Sequence, residues 1–135
     1  MDRLSAEERA SLMSRVKTKH TQPEMLVRSA LHRLGYRYAL HRKDLPGTPD
    51  IVFVSRKKAV FVHGCFWHGH DCSRGKPPKS NTEFWVHKIR ANQLRDAKAL
   101  DDLTADHWSS YVIWECEARR QEGLSALVAF LDADR

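Results

Sequence analysis

The three cysteines and one neighbouring histidine have the types and spacing that favour metal binding. Cys65, His70 and Cys72 fall within eight residues of one irregular segment, and Cys116 lies far along the chain. Three cysteines cannot form a complete set of disulfides, and structural zinc prefers four ligands such as Cys3His, so we predict a zinc site. Cys116 is expected to end a core strand, so that the metal would hold the segment to the sheet. His68 is a rival ligand to His70, and the alternative to zinc is a buried thiol at Cys116 with two surface thiols.

A second candidate site begins at Asp50, which follows Pro49 and opens an apolar run. Proline favours an extended approach, and a carboxylate at the start of a strand can reach a hard cation such as Mg²⁺, although Asp here is more often simple turn chemistry. The order helix, loop, Pro-Asp, strand, turn, strand is that of the PD-(D/E)xK nuclease core. The following strand lacks the acid and lysine of most such nucleases, so either the site is inactive or other groups replace them. Histidine can serve as a general base near neutral pH, and His63 and His68 lie on either side of Gly64.

Phe66 and Trp67 are adjacent large aromatic residues just before His68. Core packing is the usual fate of such residues. Beside a metal site they could instead be wedges that enter a base stack, because unstacking costs on the order of a few kcal/mol and less at a mismatch. Met13, at the end of the first predicted helix, could join them from the opposite groove.

The bulk composition favours a soluble protein with a polyanionic partner. The chain has 135 residues, enough for one domain, with 41% hydrophobic and 30% charged residues. The formal net charge of +6 suits a nucleic acid, because neutralised phosphates release counterions. No apolar run approaches the roughly 20 residues of a membrane span, and no signal peptide is recognisable, so we predict an intracellular protein without a membrane partner.

Capping boxes and apolar periodicity predict the element order ααβββαβα. The predicted helices cover about residues 5–16, 21–34, 82–103 and 124–131, and the predicted strands cover residues 36–40, 50–54, 59–63 and 110–116. The apolar positions predicted for the second helix are Leu26, Val27, Ala30, Leu31 and Leu34, and those for the long helix are Phe84, Ile89, Leu94, Ala97 and Leu100. This order indicates an α/β sandwich around a small mixed sheet.

Four blocks of the sequence resemble the very short patch repair (Vsr) endonucleases. They are LPGTPD at residues 45–50, VFVHGCFWH at residues 60–68, TEFW at residues 82–85 and IWEC at residues 113–116. The likeness runs from about Met13 to Arg119, and the GCFWH block is highly specific. It implies one restriction-endonuclease-like domain over residues 1–135, with residues 1–20 as a DNA-contacting arm and residues 21–135 as the catalytic core.

Vsr endonucleases nick the thymine-bearing strand of a T:G mismatch, on the 5′ side of that thymine. The mismatch arises when 5-methylcytosine deaminates, so the expected companion is a DNA cytosine methyltransferase, with mismatch-repair proteins as further candidate partners. One active site suffices for a nick, so we expect a monomer that acts on double-stranded DNA in the prokaryotic cytoplasm, at the nucleoid.

The resemblance also implies a role for individual residues. Asp50 would bind Mg²⁺ together with the main-chain carbonyl of Val62. His68 would be the general base, while His63 and Glu24 would position the metal's water or the phosphate. The structural zinc ligands would be Cys65, His70, Cys72 and Cys116, and the intercalating wedge would be Met13, Phe66 and Trp67. Glu24 also belongs to a capping box, so a structural role competes with the catalytic one.

Two rival hypotheses remain from the sequence. One is a nuclease of related fold without mismatch specificity, which would cut matched duplex equally well. The other is a zinc-dependent DNA-binding module without catalysis, and the missing second acid and lysine favour it. Asp50 and His68, which stand in specific blocks, favour an enzyme instead.

Overall fold

A computed structural model describes residues 20–76 and 79–133, and these form one sheet with helices packed on it. The helices are α1 (Gln22–Arg33), α2 (Thr82–Ala105), α3 (Glu115–Ala118) and α4 (Gln121–Asp132). The strands are β1 (Ala39–Leu40), β2 (Ile51–Phe53), β3 (Lys58–His63) and β4 (Ser109–Trp114), and a 3₁₀ turn covers Ser73–Gly75. The predicted helix over residues 5–16, including Met13, lies outside the described residues.

The sheet is mixed, as the sequence predicts, with strand order β1-β2-β3-β4. The β1–β2 and β2–β3 pairs are antiparallel, whereas β3 and β4 are parallel. His63 lies opposite Trp114 at the carboxyl ends of the two parallel strands. Ile51 lies opposite Val60, so Asp50 enters the sheet beside the end of β3. One end of the sheet therefore collects the start of β2 and the ends of β3 and β4.

Helices cover both faces of this sheet because the strand residues are buried on both sides. On one face Val60 packs in a cluster with Val27 of α1 and Leu127 of α4. On the other face Ala59 and Phe61 pack with α2 residues Ala99 and Leu103. The alternation along β3 follows the two-residue period of a strand. The result is an α/β/α arrangement. Helix α2 lies across the sheet face that carries Ala59 and Phe61, next to the candidate site. Among the described residues, no helix has the length and apolar character needed to cross a membrane.

The buried faces of α1 and α2 differ from the predicted apolar faces, because they include polar residues. In α2, Leu94 is 67% exposed and Phe84 39% exposed, and Ala97 is exposed as well. The buried face instead runs through Trp85, Ile89, Ala99 and Leu103, with half-buried Asn92 and Asp96 between them at helical spacing. Leu26 of α1 and Leu34, which caps that helix, are exposed, and Glu24 occupies the buried face with Val27, Ala30 and Leu31. The apolar-only predictions were wrong at these positions because polar residues take places on the inner faces near the cleft.

Two strand boundaries also differ from the prediction. Of the predicted strand 36–40, only Ala39–Leu40 pairs with β2, because Tyr36 and Tyr38 lie edge-on against Phe53 instead. The fourth strand ends at Trp114, so the expectation that Cys116 ends a strand is wrong. The Glu117 side chain accepts a hydrogen bond from the Trp114 main-chain nitrogen, which starts α3 and carries Cys116 on a helical turn.

Lys58 was predicted in a turn, but it opens β3 and is only 3% exposed. Its Nζ donates hydrogen bonds to the carbonyls of Phe130, at 2.6 Å, and Leu131, at 3.0 Å, and also to that of Ala133. These carbonyls belong to the last turn of α4, where helix geometry leaves oxygens without partners and the dipole favours a cation. Lys58 therefore ties the end of α4 to the sheet.

Replacing Lys58 with Met should destabilise the protein by about 2–3 kcal/mol, because the α4 carbonyls lose a charged donor inside the protein. The free energy of unfolding from denaturant titration measures this. Lys57→Met is the matched control, since Lys57 is the exposed neighbour on the same hairpin. Equal losses in the two variants would show that the carbonyl contacts of Lys58 contribute nothing.

Candidate active site and metal centre

A cleft of about 1170 Å³ opens at the end of the sheet where β2 begins and β3 ends. It is lined by four residues of the predicted site, Asp50, Val62, His63 and His68, and also by Trp67, His41 and the α2 residues Asn92 and Asp96. Lys43, Lys88 and Arg95 stand among its walls. The cleft thus brings three of the four predicted catalytic residues, Asp50, His63 and His68, together beside positively charged side chains suited to phosphate, whereas Glu24 is not in its lining.

Asp50 is fixed at the floor of this cleft by the adjacent strand. The main-chain nitrogen of Val62 donates a hydrogen bond of 2.7 Å to Asp50 Oδ2. Burial raises the pKa of the Asp50 carboxyl to about 6, and the nearby Glu24 raises it further, whereas the Val62 hydrogen bond, His41 and His68 act in the opposite direction. A carboxylate that ionises reluctantly beside another acid is suited to a divalent cation, which compensates both charges.

His68 is paired with a carboxylate that the sequence analysis missed. Its Nδ1 lies 2.5 Å from Asp96 Oδ2 on α2. Nδ1 therefore carries the proton shared with Asp96, and Nε2 is left as a lone-pair acceptor. Asp96 could have been found as the polar position on the face shared by Ile89 and Ala99, but a search for apolar periodicity passes over it. The arrangement can abstract a proton from a water molecule in the cleft.

His63 stacks on His68 with ring centroids 3.9 Å apart and planes 4° from parallel. Burial lowers the pKa of His63 to about 4, aided by repulsion from His68 and opposed by Asp96. Its Nε2 lies 3.9 Å from Asp96 Oδ1, and its buried Nδ1 has no hydrogen-bond partner among the described residues. At neutral pH His63 is therefore uncharged and serves as a packing surface for His68, with one buried nitrogen that lacks a partner among the described residues.

Side chains of α2 also hold the main chain of the segment that carries His68. Asn92 Nδ2 donates to the Trp67 carbonyl at 2.7 Å, and Gln93 Nε2 donates to the His68 carbonyl at 3.2 Å. Gly69 makes this approach feasible, because its φ is +65° and a Cβ there would lie 2.6 Å from the Ile89 side chain. The long helix thus positions both the ring and the backbone of His68.

Glu24 lies beside the cleft and is only 1% exposed. Thr21 Oγ1 accepts from the Glu24 main-chain nitrogen at 3.4 Å, as predicted for a cap. The second arm of the predicted capping box is wrong, since the Glu24 carboxylate accepts from the main-chain nitrogen of His20 instead of Thr21. The same carboxylate contacts Arg28 at 3.3 Å and His41 at 3.0 Å. Glu24 is therefore enclosed by its partners.

The four predicted zinc ligands converge in the structure. One ligand atom each of Cys65, His70, Cys72 and Cys116 lies within 4.8 Å of every other, and Cys116 Sγ is 3.5 Å from His70 Nδ1. With Zn–S bonds of about 2.3 Å, a tetrahedral site places its sulfurs roughly 3.8 Å apart, so this donor set fits zinc. Burial raises the pKa of the Cys65 thiol to about 12, which makes a compensating cation necessary for its thiolate. The rival ligand His68 stands apart, paired with Asp96.

The surroundings of this cluster connect it to the cleft. Trp114 stacks on His70, with centroids 4.3 Å apart, and its ring also lies edge-on to His63 at 5.3 Å. Trp114 is half-buried, whereas Trp85 is 5% exposed and belongs to the core. Glycine is required at position 75 because the backbone there packs against His70. A Cβ at this position would lie 1.8 Å from the His70 carbonyl oxygen.

We expect Cys72→Ala to abolish binding of one zinc per chain and to destabilise the fold by about 4 kcal/mol or more, as loss of structural metals does. Zinc content by mass spectrometry and the thermal midpoint measure the two effects. Ser73→Ala, at the exposed neighbouring position, is the control. The assignment of a structural zinc would be refuted if zinc-free wild-type protein had the same thermal midpoint as wild-type protein supplied with zinc.

Phe66 and Trp67 form part of an aromatic cluster at the start of α2. Their rings meet at 5.0 Å, and both lie edge-on to Trp85, at 5.3 and 5.9 Å. Both are half-buried, and Trp67 also lines the cleft. These rings therefore rest on the helix that holds His68.

Comparison with known proteins places the chain in a family. The family model for the DNA mismatch endonuclease Vsr matches residues 1–74. The type II nicking enzyme V.XorIIP of Xanthomonas oryzae pv. oryzae is 57% identical over 116 residues, covering 86% of this chain and 85% of the relative. The type II nicking enzyme V.NmeAIP of Neisseria meningitidis is 42% identical over 89% of this chain and 86% of the relative. The DNA mismatch endonuclease Vsr of Escherichia coli is 36% identical over 87% of this chain and 75% of the relative. The chain belongs to the Vsr endonuclease family.

Proposed function

We propose that this protein is a magnesium-dependent endonuclease that nicks duplex DNA on the 5′ side of the thymine in a T:G mismatch and so begins very short patch repair. The observation that carries the proposal is the convergence of Asp50 and the His68–Asp96 pair in one cleft. A DNA-binding module without catalysis has no use for a histidine oriented by a carboxylate beside a buried acid. The relatives of this chain that are named as a mismatch endonuclease and as nicking enzymes support an endonuclease activity.

In this proposal, Asp50 and the main-chain carbonyl of Val62 hold Mg²⁺. When bound, the ion polarises the phosphoryl group and stabilises charge on the leaving 3′-oxygen. His68 accepts the proton of the attacking water at Nε2, while Asp96 keeps the opposite nitrogen protonated and stabilises the imidazolium that forms. His63 keeps the His68 ring parallel to its own and so helps to position the metal's water or the phosphate relative to that ring.

The wedge role of Phe66 and Trp67, with Met13 from the N-terminal arm, is part of the proposal. The position of Trp67 on the cleft wall supports it, because a ring that enters the base stack there would stand close to Asp50. Insertion is easier at a weakly stacked T:G pair than at a matched pair, which would make the wedge a source of mismatch preference. Since the mismatch comes from 5-methylcytosine, we propose a functional link to a DNA cytosine methyltransferase.

End-labelled duplexes that differ only in T:G against C:G at one position test the proposal on a denaturing gel. The zinc-loaded protein in Mg²⁺ should yield one labelled product, cut beside the mismatched thymine, and the C:G duplex should stay intact. Comparable cutting of both duplexes would favour a related nuclease without mismatch specificity. Binding without any cutting would favour the non-catalytic module.

A further inference from the structure

The Glu24 carboxylate is closed off from the cleft beside which it lies. Its Oε1 accepts from the His20 main-chain nitrogen at 3.2 Å, and its Oε2 lies 3.3 Å from Arg28. Both oxygens are also within 3.1 Å of His41 Nε2. Glu24 is 1% exposed and is absent from the described residues that line the cleft. In this conformation Glu24 acts on Asp50 through space, but it can exchange hydrogen bonds with the contents of the cleft only through a neighbour.

His41 is the neighbour that reaches the cleft. Its ring is fixed at Nε2 by Glu24, and its main-chain nitrogen donates to the Asp50 carbonyl at 3.1 Å. The residue lines the cleft together with Asp50 and has a left-handed backbone with φ of +48°. This conformation is uncommon for a non-glycine residue and persists where the surroundings demand it, often at functional sites. Two contacts therefore hold the imidazole beside Asp50.

The chemistry of the pair determines what His41 can do. A carboxylate at Nε2 favours the tautomer with the proton on that nitrogen, which leaves the lone pair on Nδ1. No described residue contacts Nδ1 by a hydrogen bond. Mg²⁺ keeps several water molecules when it binds to proteins. A nitrogen lone pair close to Asp50, the predicted magnesium ligand, could therefore accept a hydrogen bond from one of these waters. The cleft thus has two carboxylate–histidine pairs, Asp96–His68 and Glu24–His41.

We propose that His41 is a contact residue of the active cleft whose Nδ1 accepts a hydrogen bond from a water of the cation held by Asp50, and that Glu24 is the positioning residue which acts through it. This inference rests on the proposed function and extends it. The direct contact then belongs to His41, whereas the family resemblance predicts that Glu24 positions that water or the phosphate.

The test is a double-mutant cycle on the zinc-loaded protein, with Glu24→Gln, His41→Ala and both together. Two quantities are measured. One is the affinity for Mn²⁺, a substitute for magnesium, from the electron paramagnetic resonance signal of free Mn²⁺; the other is kcat on the T:G duplex. Asp50→Asn should abolish the Mn²⁺ binding in question and so identifies the site. His32→Ala, an exposed histidine on α1, is the control. Thermal midpoints verify that each variant is folded.

We expect His41→Ala to weaken Mn²⁺ binding and to lower kcat by about 10- to 100-fold, as loss of outer-sphere partners does, with KM for DNA little changed. The double variant should be no worse than His41→Ala alone, because Glu24 acts through the same ring. His41→Asn, whose amide oxygen replaces Nδ1 and which tolerates a left-handed backbone, should restore part of both quantities.

Additive losses in the double variant would overturn the inference, since Glu24 would then act independently of His41. Recovery by His41→Gln but not by His41→Asn would also overturn it, because Gln replaces only the nitrogen that holds Glu24. The Mn²⁺ measurements keep this test separate from the proposed function. If the wild-type protein fails to nick any T:G duplex, the proposed function fails, while the coupling of Glu24 and His41 at the ion is still measured.

Discussion

Asp50→Asn protein should be inactive as a nuclease and, without magnesium, more stable than the wild type at pH 7.5. Nicking should fall by roughly 10³-fold or more, because the contribution of a bound cation to the transition state is several kcal/mol. Affinity for the T:G duplex should change little, since the phosphate and aromatic contacts of the cleft remain. Asn retains an oxygen that can accept the Val62 hydrogen bond.

The gain in stability follows from the raised pKa of Asp50. Burial places the folded-state pKa at about 6, against an ordinary value of 3.8, so the folded chain holds this proton more tightly than the unfolded chain. The favourable contribution of this bound proton to the free energy of unfolding is fully present below pH 3.8 and is lost as the pH rises through 6. Above that pH, the wild type carries an ionised buried carboxylate that costs about 2–3 kcal/mol, a cost that the neutral Asn avoids.

Denaturant unfolding of both proteins between pH 4 and pH 8, without magnesium, measures this difference. The advantage of Asp50→Asn should grow from near zero at pH 4 to its full value above pH 7. Added Mg²⁺ should stabilise only the wild type, because only its carboxylate binds the ion. A variant less stable than the wild type at pH 7.5 would mark Asp50 as a structural residue of the β2–β3 junction.

The second large effect is expected for the His68–Asp96 pair. His68→Ala should lower kcat by about 10²- to 10⁴-fold, the usual contribution of a general base. Asp96→Asn should lower it by a comparable factor, because the amide can donate to Nδ1 and so favour the tautomer that has no lone pair on Nε2. Mn²⁺ affinity and DNA affinity should stay near the wild-type values in both variants.

Single-turnover rates on the T:G duplex measure these effects. The double variant should be about as slow as His68→Ala alone, since a carboxylate that acts only through the ring adds nothing after the ring is removed. Asp101→Asn, at an exposed position of the same helix, is the matched control. A fully active Asp96→Asn protein would show that the 2.5 Å contact with His68 has no role in proton transfer.

The parts of the fold that follow from local patterns were predictable. The hairpin of β2 and β3, the long helix and the mixed sheet follow from turn chemistry and hydrophobic periodicity. The convergence of Cys65, His70, Cys72 and Cys116 was predictable from the ligands that zinc prefers. The position of Cys116 on α3 was not predictable in this way. A strand that turns directly into a helix at Trp114 depends on one Glu117 hydrogen bond, which periodicity does not report.

The candidate site was predictable only where its residues stand in specific sequence blocks. Asp50, His63 and His68 do, and the structure brings them into one cleft. Asp96 and His41 do not, because their importance comes from contacts 28 and 17 residues away in sequence, with His68 and Glu24. The buried face of α2 mixes Asp96 with apolar residues, so apolar spacing alone favours the exposed Leu94. Helical spacing marks such a polar position on an otherwise apolar face, but its role becomes evident only with the partner across the fold.

The central claim is that one active cleft cuts one strand at a T:G mismatch. The most direct measurement uses covalently closed circular DNA with a single T:G pair, together with a matched circle, and maps the cut by primer extension. The account predicts open circles from the mismatched DNA alone, with the break on the 5′ side of the thymine and no linear product. Open circles from both DNAs at similar rates, or linear molecules from either, would contradict it.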